Sequence, residues 1–403
     1  MAAPVGSSRL QPTIFVLNWN ADELRLCETT VQSLADAPRG GLRGLFRSPC
    51  VSPTFLNYLR DSILVNQSQL VVVVTPNEAD SASYLHSDSL PNLLPTLQYQ
   101  LLGREKIAGV GHQVTAVVTG ATPPALRISV YGHNTVVSDW TYAGRNLHKL
   151  IPGGVSESIL QYGEGYAGMI ALHLWHRFYG KFALMVVDIP EDALPVKVQT
   201  FSKNRLASNA VSTISLLTWL TEVVDALNPS ERPDHVVLCG TFNYQLVVPD
   251  KTILDTIRST SANLSKNNLK ALQQYDEGTQ ALRRGEVLEG FSEGVGGQGP
   301  LFMPTWRLTK GRSGDCNPDY AKTTPAPPGQ GQAVASSSAV SPSCFTLNET
   351  SGGVGWSDRV YFRDLLTSTY LLTCEQYDRL DEQSMNQSSH AGVTAILRIS
   401  PYS

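Results

Sequence analysis

Val236-Val237-Leu238-Cys239-Gly240-Thr241-Phe242-Asn243-Tyr244 is an apolar run that ends in a turn. An apolar run with β-branched members and no alternation reads as a strand buried on both faces. It enters a Gly-Thr-Phe-Asn turn. Upstream, residues 206–227 carry the longest helical pattern, closed by Asn228-Pro229. A helix delivered onto a buried strand suggests an α/β fold, and the rest of the chain agrees.

Residues 13–17 and 70–75 are further short apolar strands. Between them Ser52-Pro53 supplies a cap and a first-turn proline for a helix running to about residue 65. Residues 114–119 and 126–130 flank the turn-rich 120–124 and read as a hairpin, as do 168–173 and 181–188 around Tyr179-Gly180. Residues 264–284 form a second helical pattern ending at Gly285, a left-handed cap. A strand at 360–362, a helix around 371–380 and a strand at 392–399 complete the series. The segment 311–355 is rich in Pro, Gly, Ser, Thr and Ala, and reads as a disordered insertion. Strand pairs alternating with helices, without other composition breaks, predict one domain over 13–400 behind a tail at 1–12. Its expected class is an α/β sandwich of two stacked sheets flanked by helices.

Composition narrows the function. The 31 basic and 35 acidic residues of the 403 leave a net charge of −4, without the basic footprint of a nucleic-acid binder. Six cysteines, at 27, 50, 239, 316, 344 and 374, show neither zinc-ligand spacing nor a disulfide framework. No segment reaches the length of a membrane span, and residues 1–12 lack the apolar core of a signal peptide. A soluble, cytoplasmic protein is expected, with the Asn-x-Ser/Thr sequons at Asn66 and Asn348 as chance matches. Gly163-Glu164-Gly165-Tyr166-Ala167-Gly168 matches a dinucleotide motif but lacks the preceding strand and following helix. His173 and His176, three apart on a strand, point to opposite faces and do not form a metal pair.

Other segments act together. Asn18-Trp19-Asn20 ends the first strand. Tyr275-Asp276-Glu277 precedes Gly285 to Gly294, where Val287, Gly290-Phe291 and Glu293 stand, and Pro304-Thr305-Trp306-Arg307 follows. Trp356-Ser357-Asp358-Arg359 comes after the insertion, and Ser388-Ser389-His390 precedes the last strand. In this order, with Gly240–Asn243 among them, they resemble the inositol polyphosphate 5-phosphatases of the endonuclease/exonuclease/phosphatase superfamily. The resemblance implies a four-layer sandwich and magnesium-dependent removal of a 5-phosphate from phosphoinositides or soluble inositol phosphates. It implies Asn20 and Glu78 as metal ligands, His390, Asn243 and Asp358 as catalytic groups, and Arg307, Arg359 and Asn243 as substrate contacts. Glu78 fits only with one inserted residue; otherwise Asn77 takes the place.

Several family groups are replaced. Thr241 stands for the water-orienting Asp, and Ser389 for the Asp of Ser-Asp-His, a change expected to leave His390 without its carboxylate. Val187-Asp188-Ile189 replaces Asn-Cys-His, Ala167 a substrate lysine, and Gln245 an arginine. Losing one general base or donor costs about 10²–10⁴ in rate. The expectation is a weakly active or inactive relative that binds an inositol phosphate, a phosphoinositide headgroup or a protein partner. The alternative is an active magnesium enzyme using displaced carboxylates such as Asp188 or Glu78.

Overall fold

All seven residues of strand β8 (His235–Thr241) are buried, as its apolar sequence requires. The computed structural model describes residues 11–20, 53–78, 85–108, 125–150, 167–189, 232–246, 266–305, 354–365, 368–380, 388 and 390–402. In sequence order the other strands are β1 (Gln11–Asn18), β2 (Ser68–Glu78), β3 (Tyr99–Ala108), β4 (Ala125–His133), β5 (Trp140–Leu150), β6 (Ala167–His176) and β7 (Gly180–Asp188). After β8 come β9 (Ser292–Glu293), β10 (Asp358–Asp364), β11 (Tyr370–Arg379) and β12 (Val393–Pro401). The helices are α1 (Pro53–Asn66), α2 (Leu90–Thr96), α3 (Lys266–Leu272) and α4 (Glu277–Arg283).

The strands form two mixed six-stranded sheets, ordered β11-β12-β1-β2-β4-β3 and β5-β6-β7-β8-β10-β9. Alternation along each strand sorts side chains into three apolar layers. Ile14, Val16, Val72, Leu184, Val186, Val237, Cys239, Val360 and Leu397 fill the space between the sheets. Phe15, Leu17, Val71 and Val73 face outward and are covered by Leu59 and Ile63 of α1 and by α2 and α3. Val236, Leu238 and Phe242 face the opposite way, beneath Ala281, Val287 and Leu288 of the α4 region. The result is the α/β sandwich fold expected from the sequence.

Two elements differ from expectation. Residues 371–380 are strand β11, not a helix. A bulge between Cys374 and Gln376 breaks the two-residue alternation, so the buried Cys374 and Tyr377 are three apart, a helical spacing in a strand. The helical pattern over 264–284 is interrupted. Asp276 is extended (φ −83°, ψ 119°), and its carboxylate accepts from Thr279 N at 2.7 Å, ending one helix and capping α4. Gly285, at φ +66°, is the left-handed residue after α4. Strand β1 already begins at Gln11, inside the expected tail. The strand expected at 114–119, the helix at 206–227 and the insertion up to residue 353 lie outside the described residues, and β4 takes β3 as its hairpin partner.

Candidate active-site cleft

β1 and β2 run parallel, as do β7 and β8, so four carboxyl ends reach the same edge of the sandwich. β10 is antiparallel to β8 and starts there, with Asp358 paired to Thr241; β12 starts there opposite Asn18. Thr241 and Asp358 continue the inward-facing rows Val237–Cys239 and Phe362–Val360, and Asn20 follows Asn18 off β1. His390 sits three residues before β12.

These four side chains are joined. Asn20 Nδ2 donates to Thr241 Oγ1 at 2.9 Å, and Thr241 Oγ1 donates to Asp358 Oδ1 at 3.1 Å. Asp358 Oδ2 lies 2.7 Å from His390 Nδ1. All are buried, with His390 the most open at 6 %. The backbone carries the same arrangement: Ser388 Oγ donates to Asn20 O and accepts from His390 N, and Trp19 Nε1 donates to His390 O. The expectation that Ser389 leaves His390 without a carboxylate is therefore corrected. Asp358, 32 residues earlier in the chain, holds the imidazole.

Gly240 shapes this end of β8. Its φ is +137°, and a Cβ there would lie 1.8 Å from Val187 O. Only glycine lets β8 press against β7 here while Asn18 Nδ2 reaches Gly240 O at 2.9 Å. Asn243, at φ +54°, closes the turn: Nδ2 donates to Ile189 O, Oδ1 accepts from Ser357 Oγ at 3.1 Å, and its N donates to Ser357 Oγ. Its amide clasps the ends of β7 and β10. Thr305, unread in the sequence apart from its motif, is a second clasp. Its Oγ1 accepts from Ser357 N and Asp358 N at 3.1 and 3.2 Å, and its carbonyl accepts from Ala391 N at 2.8 Å.

Arg359 is not a substrate contact in this structure. One residue beyond Asp358 on a strand, it must face the other way, and it is 0 % exposed. Nη2 meets both oxygens of Asp276 at 2.5 Å, Nη1 meets Glu293 Oε2 at 3.0 Å, and Nε donates to Trp356 O at 2.7 Å. The guanidinium lies 5.2 Å from the Tyr244 ring centroid. Burial opposes its charge, but Asp276 and Glu293 more than offset this and hold its pKa well above the ordinary value. Burial keeps Glu293 above the usual carboxylate range, Arg359 offsetting it only in part. The motif residues Asp276 and Glu293 are thus the partners of Arg359, reached from 83 and 66 residues away. Nearby, Glu277 Oε2 accepts from Gln245 N at 3.0 Å, and burial raises its pKa to about 7.

Of the remaining expected groups, Arg307 and Ser389 lie outside the described residues. Glu78 ends β2 opposite Ala125, and between Thr75 and Glu78 strand β2 carries one residue more than β4. Asp188 pairs in register with Thr241, on the inward-facing row with Leu184 and Val186.

The resemblance read from the sequence implies a divalent cation. Among the described residues, no three His, Cys, Asp or Glu side chains converge to hold one, Asp188, Asp358 and His390 included. Asp358 spends one oxygen on Thr241 and the other on His390, and Asn20 turns its NH₂, a donor, toward Thr241. Magnesium calls for carboxylate oxygens free to face it. The described donor set does not fit a resident cation. The threonine also changes the charge. A carboxylate in its place, about 3 Å from Asp358, would repel by about 5 kcal/mol at an effective dielectric near 20. Thr241 removes that repulsion.

No protein family matches the chain by its sequence profile, and no curated protein matches it in sequence. Solved structures do match in shape. The inositol polyphosphate 5-phosphatase domain of SPsynaptojanin, in complex with inositol (1,4)-bisphosphate and calcium ion, superposes with a TM-score of 0.53 at 12 % identity. The match covers 97 % of this chain and 86 % of that one. A Cimex nitrophorin ferrous NO complex superposes with a TM-score of 0.54 at 12 % identity, over 97 % and 99 % of the two chains. The chain shares the two-sheet α/β sandwich fold of these structures. That fold alone leaves the activity open, because function resides in the site.

Proposed function

We propose that this chain is a 5-phosphatase-like protein that keeps the cleft as a binding site for an inositol phosphate and has lost efficient hydrolysis. The observation that carries this reading is the hydroxyl of Thr241 bridging Asn20 and Asp358 where a water-orienting carboxylate belongs. Hydrolysis of a phosphomonoester needs an oriented water and positive charge on the phosphate oxygens. Neither Thr241 nor the committed Asp358 supplies the first, and the described carboxylates and imidazoles form no group of three that could hold a cation for the second. Binding needs less. The His390–Asp358 pair is intact, and in the sequence Arg307 stands two residues after Thr305. The SPsynaptojanin domain of the same fold was solved with an inositol bisphosphate, which makes that ligand class the first to test. No described helix is long and apolar enough to cross a membrane.

The displaced-carboxylate alternative has Asp188 on the correct face, but Asp188 does not group with Asp358 and His390. Phosphate release from phosphatidylinositol bisphosphate and inositol trisphosphate, measured with magnesium present, decides between the readings. The expected outcome is release at background, with inositol (1,4)-bisphosphate still binding by calorimetry. Robust release that disappears in both His390→Ala and Asp188→Asn refutes the proposal in favour of the alternative.

A further inference from the structure

We infer that the turn joining β6 to β7 docks on a phosphocholine bilayer, with Trp175 and Phe178 as the side chains that enter the headgroup layer. The turn lies at the edge of the sandwich opposite the cleft. β7 runs from Gly180, beside the turn, to Asp188, beside Thr241, a span of about 25 Å. The surface therefore stands whether or not the cleft takes an inositol phosphate.

Trp175 and Phe178 are 52 % and 59 % exposed, three residues apart on one hairpin. A lone exposed hydrophobic is ordinary. Here others share the edge: Leu64 and Val65 end α1 just before β2 begins there, and Tyr402 follows the end of β12. Exposed apolar side chains spread along one edge, rather than gathered in a groove, suit a plane. The turn itself is held firmly. Phe178 N and Tyr179 N both donate to His176 Nδ1 at 3.1 Å, and Arg177 N donates to Asp139 O at 3.1 Å. The three N–H groups of the turn are thus satisfied inside the protein, as entry into a layer poor in water requires. The His176 ring stacks on Tyr179 at 4.0 Å and meets Trp140 edge-on at 4.6 Å. Its Nδ1 accepts and so carries no proton, in keeping with burial, which lowers its pKa to about 4.

The charges choose the lipid. Arg177 Nε meets Asp139 Oδ1 at 3.0 Å, and the Asp234 carboxylate accepts from Lys181 N at 2.8 Å, with Lys181 paired across from Trp175. Two basic residues stand beside two acidic ones, and the whole chain carries −4. An anionic bilayer is held by an excess of positive charge, which these residues do not supply. A phosphocholine headgroup is itself balanced. Exposed aromatic faces attract its quaternary ammonium. The Arg177 side chain, 63 % exposed with its guanidinium 4.4 Å from the Phe178 ring centroid, offers donors to its phosphate.

The test is sedimentation of the full chain with phosphatidylcholine vesicles. The bound fraction is expected to change less than about twofold between about 0.1 and 0.5 M sodium chloride, because long-range charge contributes little. Joint Trp175→Ala and Phe178→Ala substitution is expected to lower the partition coefficient by about tenfold or more, as two rings lose their apolar contact. Thermal melts verify that the double variant is folded. Brominated phosphatidylcholine gives a reading that does not depend on that variant. It should quench the wild-type tryptophan fluorescence, and Trp175→Phe should remove most of the quenching while the protein still sediments with vesicles. Failure of the wild type to sediment overturns the inference, as does binding that the folded double variant retains. Quenching that persists in Trp175→Phe overturns the role given to Trp175. Binding that appears only with phosphatidylserine and vanishes at high salt overturns the choice of lipid. Self-association that the double variant loses, without vesicle binding, assigns the edge to a second copy of the chain and overturns it too.

Discussion

Replacing Arg359 by leucine separates a structural arginine from a substrate-binding one. The wild-type guanidinium bonds to both oxygens of Asp276, to Glu293, to Thr279 and to the carbonyl of Trp356, with no exposed surface. Leucine fills much of the volume but leaves two carboxylates facing each other in the interior. Hydrogen bonds to charged groups are worth about 1.5–3 kcal/mol each, and stripping one partner from a buried ion pair costs about 3–5 kcal/mol. Protonation of one orphaned carboxyl limits the damage, so a loss of about 4 kcal/mol is expected, against a total stability of about 5–15 kcal/mol. Urea unfolding followed by circular dichroism measures it as a lower midpoint. The pH dependence has a definite sign. Burial already holds Glu293 above the usual carboxylate range, and without Arg359 it rises further, so the variant's stability is greatest at acidic pH and falls as pH rises. The gap to wild type should therefore narrow between neutral pH and about pH 5. A variant within about 1 kcal/mol of wild type that no longer binds inositol (1,4)-bisphosphate refutes this account and returns Arg359 to the ligand.

Three further outcomes are expected. Burial raises Glu277 to about 7, so its contribution to stability is present below about pH 4.5 and lost as pH rises through 7; Glu277→Gln should exceed wild type by up to about 3 kcal/mol above neutral pH in denaturant titrations, and equal stabilities at pH 5 and pH 8 reject the assignment. His86, held at 2.8 Å by both Thr75 and Ser129, has its pKa lowered to about 3 by burial, then by Arg127 and Arg104. Its neutral form stabilises the fold above about pH 6.5 and is lost progressively as pH falls toward 3, so His86→Gln should flatten the acid limb of the stability curve; an unchanged limb contradicts it. Gly240→Ala should cost more than about 3 kcal/mol, because the methyl meets Val187 O at a backbone angle suited to glycine, and a well-folded alanine variant with a wild-type melt argues against this packing.

Much of the fold was legible because buried strands announce themselves. β1, β2, β7, β8 and β12 are short apolar runs whose partners follow from layering, and Gly240 marks where two of them approach closely. β11 was not, since a single bulge gives a strand the spacing of a helix. Within the site, Asn20, Thr241, Asp358 and His390 could be picked from their motifs and do come together. The motif could not tell which of two adjacent residues faces the cleft. Asp358 and Arg359 are neighbours in sequence, yet strand alternation sends one between the sheets and the other into the outer layer. The carboxylate that holds His390 was invisible for a different reason: the local Ser388-Ser389 offered no acid, and the one that serves comes from another strand. Such long-range contacts are products of topology and leave no local signature.

The Thr305 clasp has a mechanical consequence. Its hydroxyl holds the backbone that presents Asp358, and its carbonyl holds the backbone beside His390. Both halves of the acid–imidazole pair are thus tied to one residue in addition to their own strands, and the next two in the chain are Trp306 and Arg307. Thr305 is the joint that fixes the spacing between acid and imidazole from the backbone side.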